Sequence, residues 1–335
     1  MKKCFELALK GKGYVSPNPM VGCIVVINNK IIGQGYHKMY GDKHAEVNAI
    51  ESVKDKSLLK QSTLYVNLEP CVHYGKTPPC SDLIIKHKIP KVVIGCLDTY
   101  SEVSGKGIEK MKDSNIEVIV GVLEKESKEL NQRFFTFHEK KRPYIILKWA
   151  KSSDGFIAPK NQNKPFWITS NESKTLVHKW RSQEDAILVG RITAQKDNPS
   201  LTVRKITGNN PIRIVIDKKL ELSNDSNIFN SKARTIVFNT KKSEIIGTNQ
   251  FIKTNFNYLK ENILKELHKQ NIQSFIVEGG RITLQSFIDA NTWDEARIFT
   301  TKKTIDGEVK APTIQGKIVF KKEIGNDNLE IIHNR

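Results

Sequence analysis

The chain of 335 residues lacks any apolar run of the about 20 residues that a bilayer crossing needs, so no membrane-spanning helix is expected. It is sparing with cysteine. The five, at positions 4, 23, 71, 80 and 96, are odd in number and too few for the disulfide framework of a small secreted domain. A cytoplasmic setting is therefore expected, in which cysteines brought together point to metal or catalysis. The opening Met1-Lys2-Lys3-Cys4-Phe5-Glu6 has neither the apolar core nor the cleavage site of a signal peptide. Acidic residues are the minority, 36 against 54 Lys and Arg, which leaves a net charge of +18. The lysines are scattered among abundant Asn and Ile, and no arginine-rich helix or aromatic-basic motif gathers them. Nucleic acid is thus not the expected partner, whereas a phosphorylated small molecule can use the same charge. Internal repeats and low-complexity tracts are missing too.

What is present reads as two α/β domains, since the length suits two of roughly 100–200 residues each. Residues 2–11 have apolar positions at helical spacing. Residues 21–27 and 31–36 are apolar runs about Asn28-Asn29, the pattern of a hairpin with a tight turn. Helix patterns follow at 44–53, 80–87 and 105–114, and strand patterns at 63–68, 92–96 and 116–120. A sheet with a hairpin at one edge and helices on both faces packs such a set. The charged stretch His138-Glu139-Lys140-Lys141-Arg142-Pro143 marks a domain boundary, placing the domains at 1–141 and 142–335. Beyond it, strands are expected at 144–149, 186–189, 212–216, 235–238, 274–277, 295–299, 318–320 and 329–332. Helices are expected at 174–181, 258–270 and 282–290.

The chemistry in the first half rests on His44-Ala45-Glu46, Glu69-Pro70-Cys71 and Cys80. One imidazole and two thiolates make three zinc ligands, the number that leaves the fourth position of a catalytic zinc to water. Zinc lowers the pKa of that water, and Glu46, two residues past His44 at the start of a helix, can carry protons from it to a ring nitrogen and a leaving amine. This is the His-x-Glu with Pro-Cys and a second Cys of zinc nucleobase deaminases, but with eight residues between the cysteines instead of two. That loop contains His73, a rival ligand with which His44, Cys71 and Cys80 would form a closed structural site. Upstream, the loop Ser16-Pro17-Asn18-Pro19 offers the Asn18 amide as donor and acceptor for a heterocycle's edge.

The segments SPNPMVGC, HAEVNAI and EPCVHYGKTPPC together resemble the bifunctional pyrimidine deaminase–reductase family of riboflavin biosynthesis, in which the longer cysteine gap is characteristic. The resemblance runs on through LKWAKSSDGFIA, WITS, GRITAQKDNPSLTVR, PIRIVID and VEGG, and so covers nearly the whole chain. It implies a cytidine-deaminase-like three-layer α/β/α domain followed by a dihydrofolate-reductase-like α/β domain, with Zn2+ and NADPH as cofactors. It implies His44, Cys71 and Cys80 as zinc ligands, Glu46 as proton shuttle and no ligand role for His73. It also places Lys151, Trp167, Thr193, Asp197 and the run Gly280, Arg281, Ile282, Thr283, Leu284, Gln285 and Ser286 beside the cofactor. Arg181, Leu201, Arg204 and Glu278 fall on the substrate side.

Elementary chemistry fits these roles. Gly279-Gly280 before a helix presents bare backbone N–H groups to a phosphate, and Arg181 and Arg204 can grip a sugar phosphate. Lys151 can polarise the sugar C1 carbonyl or imine as hydride arrives. The expected substrate is a diaminopyrimidinone carrying a phosphoribosylamino group, deaminated first and then reduced from ribosyl to ribityl by a homo-oligomeric enzyme. Two rivals stay open: a deaminase whose second domain only binds, and a deaminase that edits nucleic acid.

Overall fold

In the computed structural model, Asn28 and Asn29 both hold positive φ, 48° and 61°, the left-handed pair that a two-residue hairpin turn needs. They join β1 (Gly22–Ile27) to β2 (Lys30–Tyr36). The structure describes all residues except 73, 75–77, 100–104, 161–165 and 335. It divides into two units, Met1–Lys141 and Arg142–Arg335.

The first unit adds α1 (Lys2–Ala8), α2 (Ala45–Ser52), β3 (Thr63–Leu68), α3 (Cys80–Lys86), β4 (Lys91–Cys96), α4 (Lys106–Asp113), β5 (Glu117–Val120), α5 (Glu124–Leu130) and α6 (Gln132–Lys140). Its sheet runs β2-β1-β3-β4-β5, with the hairpin at one edge and β3, β4 and β5 parallel. Alternation along β1 makes two faces. Cys23 and Val25 pack with Ala49 and Ile50 of α2, Ile84 of α3 and Met111 of α4. Ile24 packs with Cys4 and Leu7 of α1, and α5 reaches the sheet at Gly95 through Ser127. This is the expected three-layer arrangement. The sequence reading missed α5 and α6. His138, Glu139 and Lys140, read as an interruption, are the last turn of α6, which buries Phe134 and Phe135 against Leu68 and Cys96.

The second unit comprises β6 (Tyr144–Lys151), β7 (Phe156–Pro159), α7 (Asn171–Arg181), β8 (Ala186–Gly190), α8 (Arg191–Asp197), β9 (Ile212–Ile216), β10 (Thr235–Asn239), β11 (Glu244–Ile246), β12 (Asn249–Lys253), α9 (Leu259–Lys269), β13 (Ser274–Gly279), α10 (Arg281–Asp289), β14 (Glu295–Thr301), β15 (Gly307–Lys310), β16 (Lys317–Ile324) and β17 (Asp327–His333). The ten-stranded sheet runs β11-β12-β10-β9-β8-β13-β6-β14-β17-β16. Strands β12 through β14 are parallel, while β11, β17 and β16 pair antiparallel at the two ends. A parallel sheet needs both faces covered. Ile145, Leu147 and Trp149 pack under α9 and α10, and Tyr144, Ile146 and Val189 under α7 and α8. Among the described residues, no helix is long and apolar enough to cross a membrane.

Candidate active sites

In the first unit, three elements deliver three metal-binding atoms to one point. His44 is the N-cap of α2, Cys80 is the first residue of α3, and Cys71 lies in the loop after β3. His44 Nδ1 stands 3.5 Å from Cys71 Sγ and 3.4 Å from Cys80 Sγ, and the three ligand atoms all lie within 4.8 Å of one another. A tetrahedral zinc with ordinary bond lengths separates nitrogen from sulfur by about 3.5 Å, so the donor set fits zinc in number, chemistry and spacing. The loop is tied down as well: Cys80 N donates to Cys71 Sγ, and Ser81 donates to Cys71 O from both its N and its Oγ. The rival ligand His73 lies outside the described residues.

Electrostatics suit the same purpose. The Cys71 thiol is held well below the ordinary range, chiefly because the Cys80 thiol donates to it. Cys80 is pushed up in return, and the Cys71 sulfur raises the His44 imidazole. One thiolate beside one thiol and an imidazole is a site that a dication completes by displacing protons. Glu46, in the first turn of α2, is 3% exposed, and burial pushes its carboxyl up to about 7. A carboxyl with that pKa exchanges protons readily near neutrality.

Asn18 sits beside this centre with a partner that the sequence reading missed. Its Nδ2 lies 3.0 Å from His37 Nε2, and His37 Nδ1 lies 3.2 Å from Lys43 O. A carbonyl only accepts, so Nδ1 donates there, and burial lowers the His37 pKa and favours the neutral ring. Nε2 then accepts from the Asn18 amide. The Glu69 carboxylate, also missed, is not aimed at the metal. It accepts from the backbone N–H groups of Asp98, Gly105 and Gly107 and thereby holds the chain leading into α4.

In the second unit, the cofactor candidates gather where β8 and β13 end and α8 and α10 begin. A Cβ on Gly279 would stand 2.6 Å from Thr193 Cγ2, and one on Gly190 would stand 2.9 Å from Thr283 Oγ1. Gly280 holds φ +78°, with the hydroxyls of Thr193 and Thr283 each 3.5 Å from where its Cβ would be. Bare backbone, two hydroxyls and the N-terminus of α10 form a cradle of the kind a pyrophosphate requires, so these residues fit a dinucleotide. Asp197 follows Thr193 on the same face of α8. Leu284 turns its side chain into the core, and Arg281 and Ile282 are exposed. Gln285 bonds to Asp289 and the Thr313 backbone, and Ser286 to Thr283 O. Trp167 is exposed, with Lys174 Nζ 4.8 Å over its ring.

Two of the substrate-side candidates are paired with each other. Arg181 faces a carboxylate, its Nη2 2.7 Å from Glu278 Oε2 and its Nε 3.3 Å from Oε1. Lys148, which the sequence reading passed over, is half-buried beside this pair. Burial pushes its ammonium below the ordinary lysine range, although Glu278 pulls the other way. Burial alone would raise the Glu278 carboxyl, but Arg181 and Lys148 together hold it low. Burial, then Arg181 and Arg204, bring His178 down to about 4, and its Nδ1 accepts from Arg204 N at 3.2 Å. The Arg204 side chain is exposed, while Leu201 is buried with φ +53°. Lys151 lies three residues beyond Lys148 at the end of β6, so strand alternation turns the two to opposite faces.

A zinc triad with a buried carboxyl in one unit and a dinucleotide cradle in the other define a class, a hydrolytic deaminase joined to a nicotinamide-dependent reductase. Residues 1–96 match the cytidine and deoxycytidylate deaminase zinc-binding region, and residues 143–333 match the RibD C-terminal domain. The chain is 44% identical to the riboflavin biosynthesis protein RibD of Aquifex aeolicus, over 90% of this chain and 86% of that one. It is 37% identical to the RibD of Bacillus amyloliquefaciens, over 95% and 87%. Among solved structures, a diaminohydroxyphosphoribosylaminopyrimidine deaminase/5-amino-6-(5-phosphoribosylamino)uracil reductase from Thermotoga maritima matches with TM-score 0.92 and 39% identity, covering 100% of this chain and 97% of that one. The chain belongs to the RibD family and is a bifunctional deaminase and reductase of riboflavin biosynthesis that uses zinc and NADPH.

Proposed function

We propose that residues 1–141 deaminate 2,5-diamino-6-(5-phosphoribosylamino)pyrimidin-4(3H)-one and that residues 142–335 reduce the ribosyl group of the resulting 5-amino-6-(5-phosphoribosylamino)uracil to ribityl. The observation that carries the reading is the meeting of His44, Cys71 and Cys80 beside buried Glu46. Held by those three ligands, zinc supplies Lewis-acid activation of water. Glu46 then holds a proton at its carboxylate and passes it to the ring nitrogen and the departing amine, while Asn18, oriented by His37, binds the ring edge.

In the reductase unit, NADPH bound at the cradle supplies hydride. Gly280 to Ser286 and Thr193 position it, with Asp197, Trp167 and Lys151 on the cofactor side. The half-buried Lys148, beside the paired Arg181 and Glu278, is favoured as the group that polarises the sugar C1 imine, a role the sequence alone suggested for Lys151. With Arg181 engaged by Glu278, Arg204 is the better placed of the two arginines for the substrate phosphate, beside Leu201. The partner is this small phosphorylated pyrimidine, in the cytoplasm, with the chain acting as a homo-oligomer. The free cysteines support a reducing compartment. Incubation with the diaminopyrimidine phosphoriboside, following ammonia and NADPH separately, tests the reading. Ammonia should appear without NADPH, and NADPH should be oxidised only after ammonia is released. Ammonia release with no NADPH oxidation would leave a lone deaminase.

A further inference from the structure

Strand β1 pairs with β3 from Cys23, opposite Val66, onward. The strap before it, residues 15–22, carries Asn18 and meets β3 and α6 through two buried side-chain amides instead. Asn67 follows Val66 on β3 and is fully buried. Its Oδ1 accepts from Gly22 N at 2.7 Å, and its Nδ2 donates to Met20 O at 3.0 Å. Asn131 is 2% exposed. Its Oδ1 accepts from Met20 N at 2.8 Å, and its Nδ2 donates to Met20 O at 3.0 Å. A carboxamide offers a donor and an acceptor side by side, so each of the two supplies what the peptide groups of a neighbouring strand would. Met20 is thus gripped at both its N–H and its C=O.

Asn131 gives up an ordinary role to do this. It is the N-cap of α6, a position from which an Asn side chain normally accepts from the N–H groups of its own helix. Among the described residues its side chain makes no such bond. Leu130, the last residue of α5, packs against Val15 and Met20. Phe134 and Phe135 of α6 pack with Val21. The junction of α5 and α6 therefore seats the strap through polar and apolar contacts alike. From this seat the strap delivers Asn18 to His37, whose ring centroid stands 5.4 Å from that of the ligand His44. Pro17 and Pro19 flank Asn18 and restrict the backbone on either side, so a displacement of Met20 is passed on to it.

We propose that Asn131 is a positioning residue for deamination: together with Asn67, and through Met20, it sets where the Asn18 amide meets the substrate ring. The proposal rests on the reading of Asn18 as the ring contact. It assigns the α5–α6 junction, remote in sequence from the zinc motifs, to the same active site.

Steady-state ammonia release from the zinc-loaded full chain tests it, with the diaminopyrimidine phosphoriboside as substrate. Asn131→Asp keeps the shape and the acceptor for Met20 N but sets a carboxylate against Met20 O, where no donor remains. It should raise KM about tenfold with kcat within about threefold, because the ring contact serves ground and transition states alike. Zinc content, and NADPH oxidation with the deaminated substrate, should stay as in the unaltered chain. Asn18→Ala should raise KM in the same way. Adding Asn131→Asp to Asn18→Ala should raise KM by no more than about twofold further, since the residue acts through Asn18. Effects that multiply in the double variant would overturn the proposal. Loss of zinc from Asn131→Asp and from the milder Asn131→Ser alike would overturn it too, by placing the residue in the fold of the metal centre. An unchanged KM in Asn18→Ala refutes the ring-contact reading and this proposal with it. A raised KM there, with none in Asn131→Asp, refutes the proposal alone.

Discussion

At the scale of single residues, the two sites differ in what their spacing reveals. His44, Glu46, Cys71 and Cys80 were legible because a metal demands particular atoms, and short motifs set by a helix start and a loop supply them. Cys80→Ser is expected to lose zinc and ammonia release together while NADPH oxidation with the preformed uracil substrate persists, as metal analysis and two separate assays would show. Zinc retained at full occupancy would remove Cys80 from the ligand set. Lys148 was not legible. It sits within the apolar run of β6, and only the parallel register beside β13 reveals that it shares a face with Glu278. Lys148→Met is expected to slow reduction on the order of a hundredfold with NADPH affinity unchanged. Lys151→Met should mainly weaken NADPH binding. If the two substitutions exchange these effects, the catalytic lysine is Lys151, as the sequence first suggested.

At the scale of elements, recognition followed amphipathic contrast. Strands of the parallel sheet such as β8 and β13 are apolar runs and were found, and the Asn-Asn turn named the hairpin. Apart from α6, which buries Phe134, Phe135 and Phe137, the elements missed have little such contrast. Helix α5, Glu-Lys-Glu-Ser-Lys-Glu-Leu, is polar on nearly every side, α8 buries only Ala194, and β12 is half-buried along most of its length. They are held by their neighbours, a tertiary effect that no local pattern carries. Strand β16 presents the opposite case. It closes one end of the ten-stranded sheet, pairs among the described residues only with β17, and leaves Ile318, Val319 and Phe320 exposed in succession. Natural edge strands usually avoid this, and a second copy of the chain is an occupant that would cover it. Antiparallel pairing of two β16 strands about Phe320 sets Lys317 of each against Glu323 of the other. Ile318→Lys with Phe320→Lys is therefore expected to lower the mass measured by light scattering by whole protomers, with activity per chain kept. An unaltered chain that is monomeric at micromolar concentration would remove β16 as an oligomer contact.

At the scale of the whole molecule, the division into two units has an energetic basis that can be tested. The buried clusters of Met1–Lys141 and those of Arg142–Arg335 share no residue, so each unit has its own hydrophobic core, and units of this size are ordinary independent domains. The atoms of the zinc centre all precede Lys141, while the cradle and the Lys148 set all follow it. A fragment of residues 1–141 is thus expected to fold cooperatively, bind zinc and release ammonia from the diamino substrate without NADPH. A fragment of residues 142–335 should oxidise NADPH only with the deaminated compound. Full-length Cys80→Ser and full-length Lys148→Met, each blocked at one step, should then restore the complete conversion when mixed, since the intermediate released by one protein can diffuse to the other. Liquid chromatography of the ribityl product, compared with each variant alone, measures this. Product in the mixture and in neither variant alone supports two self-sufficient modules. Fragments that fold and bind their ligands yet fail to turn over would show that the activities are not separable at Lys141.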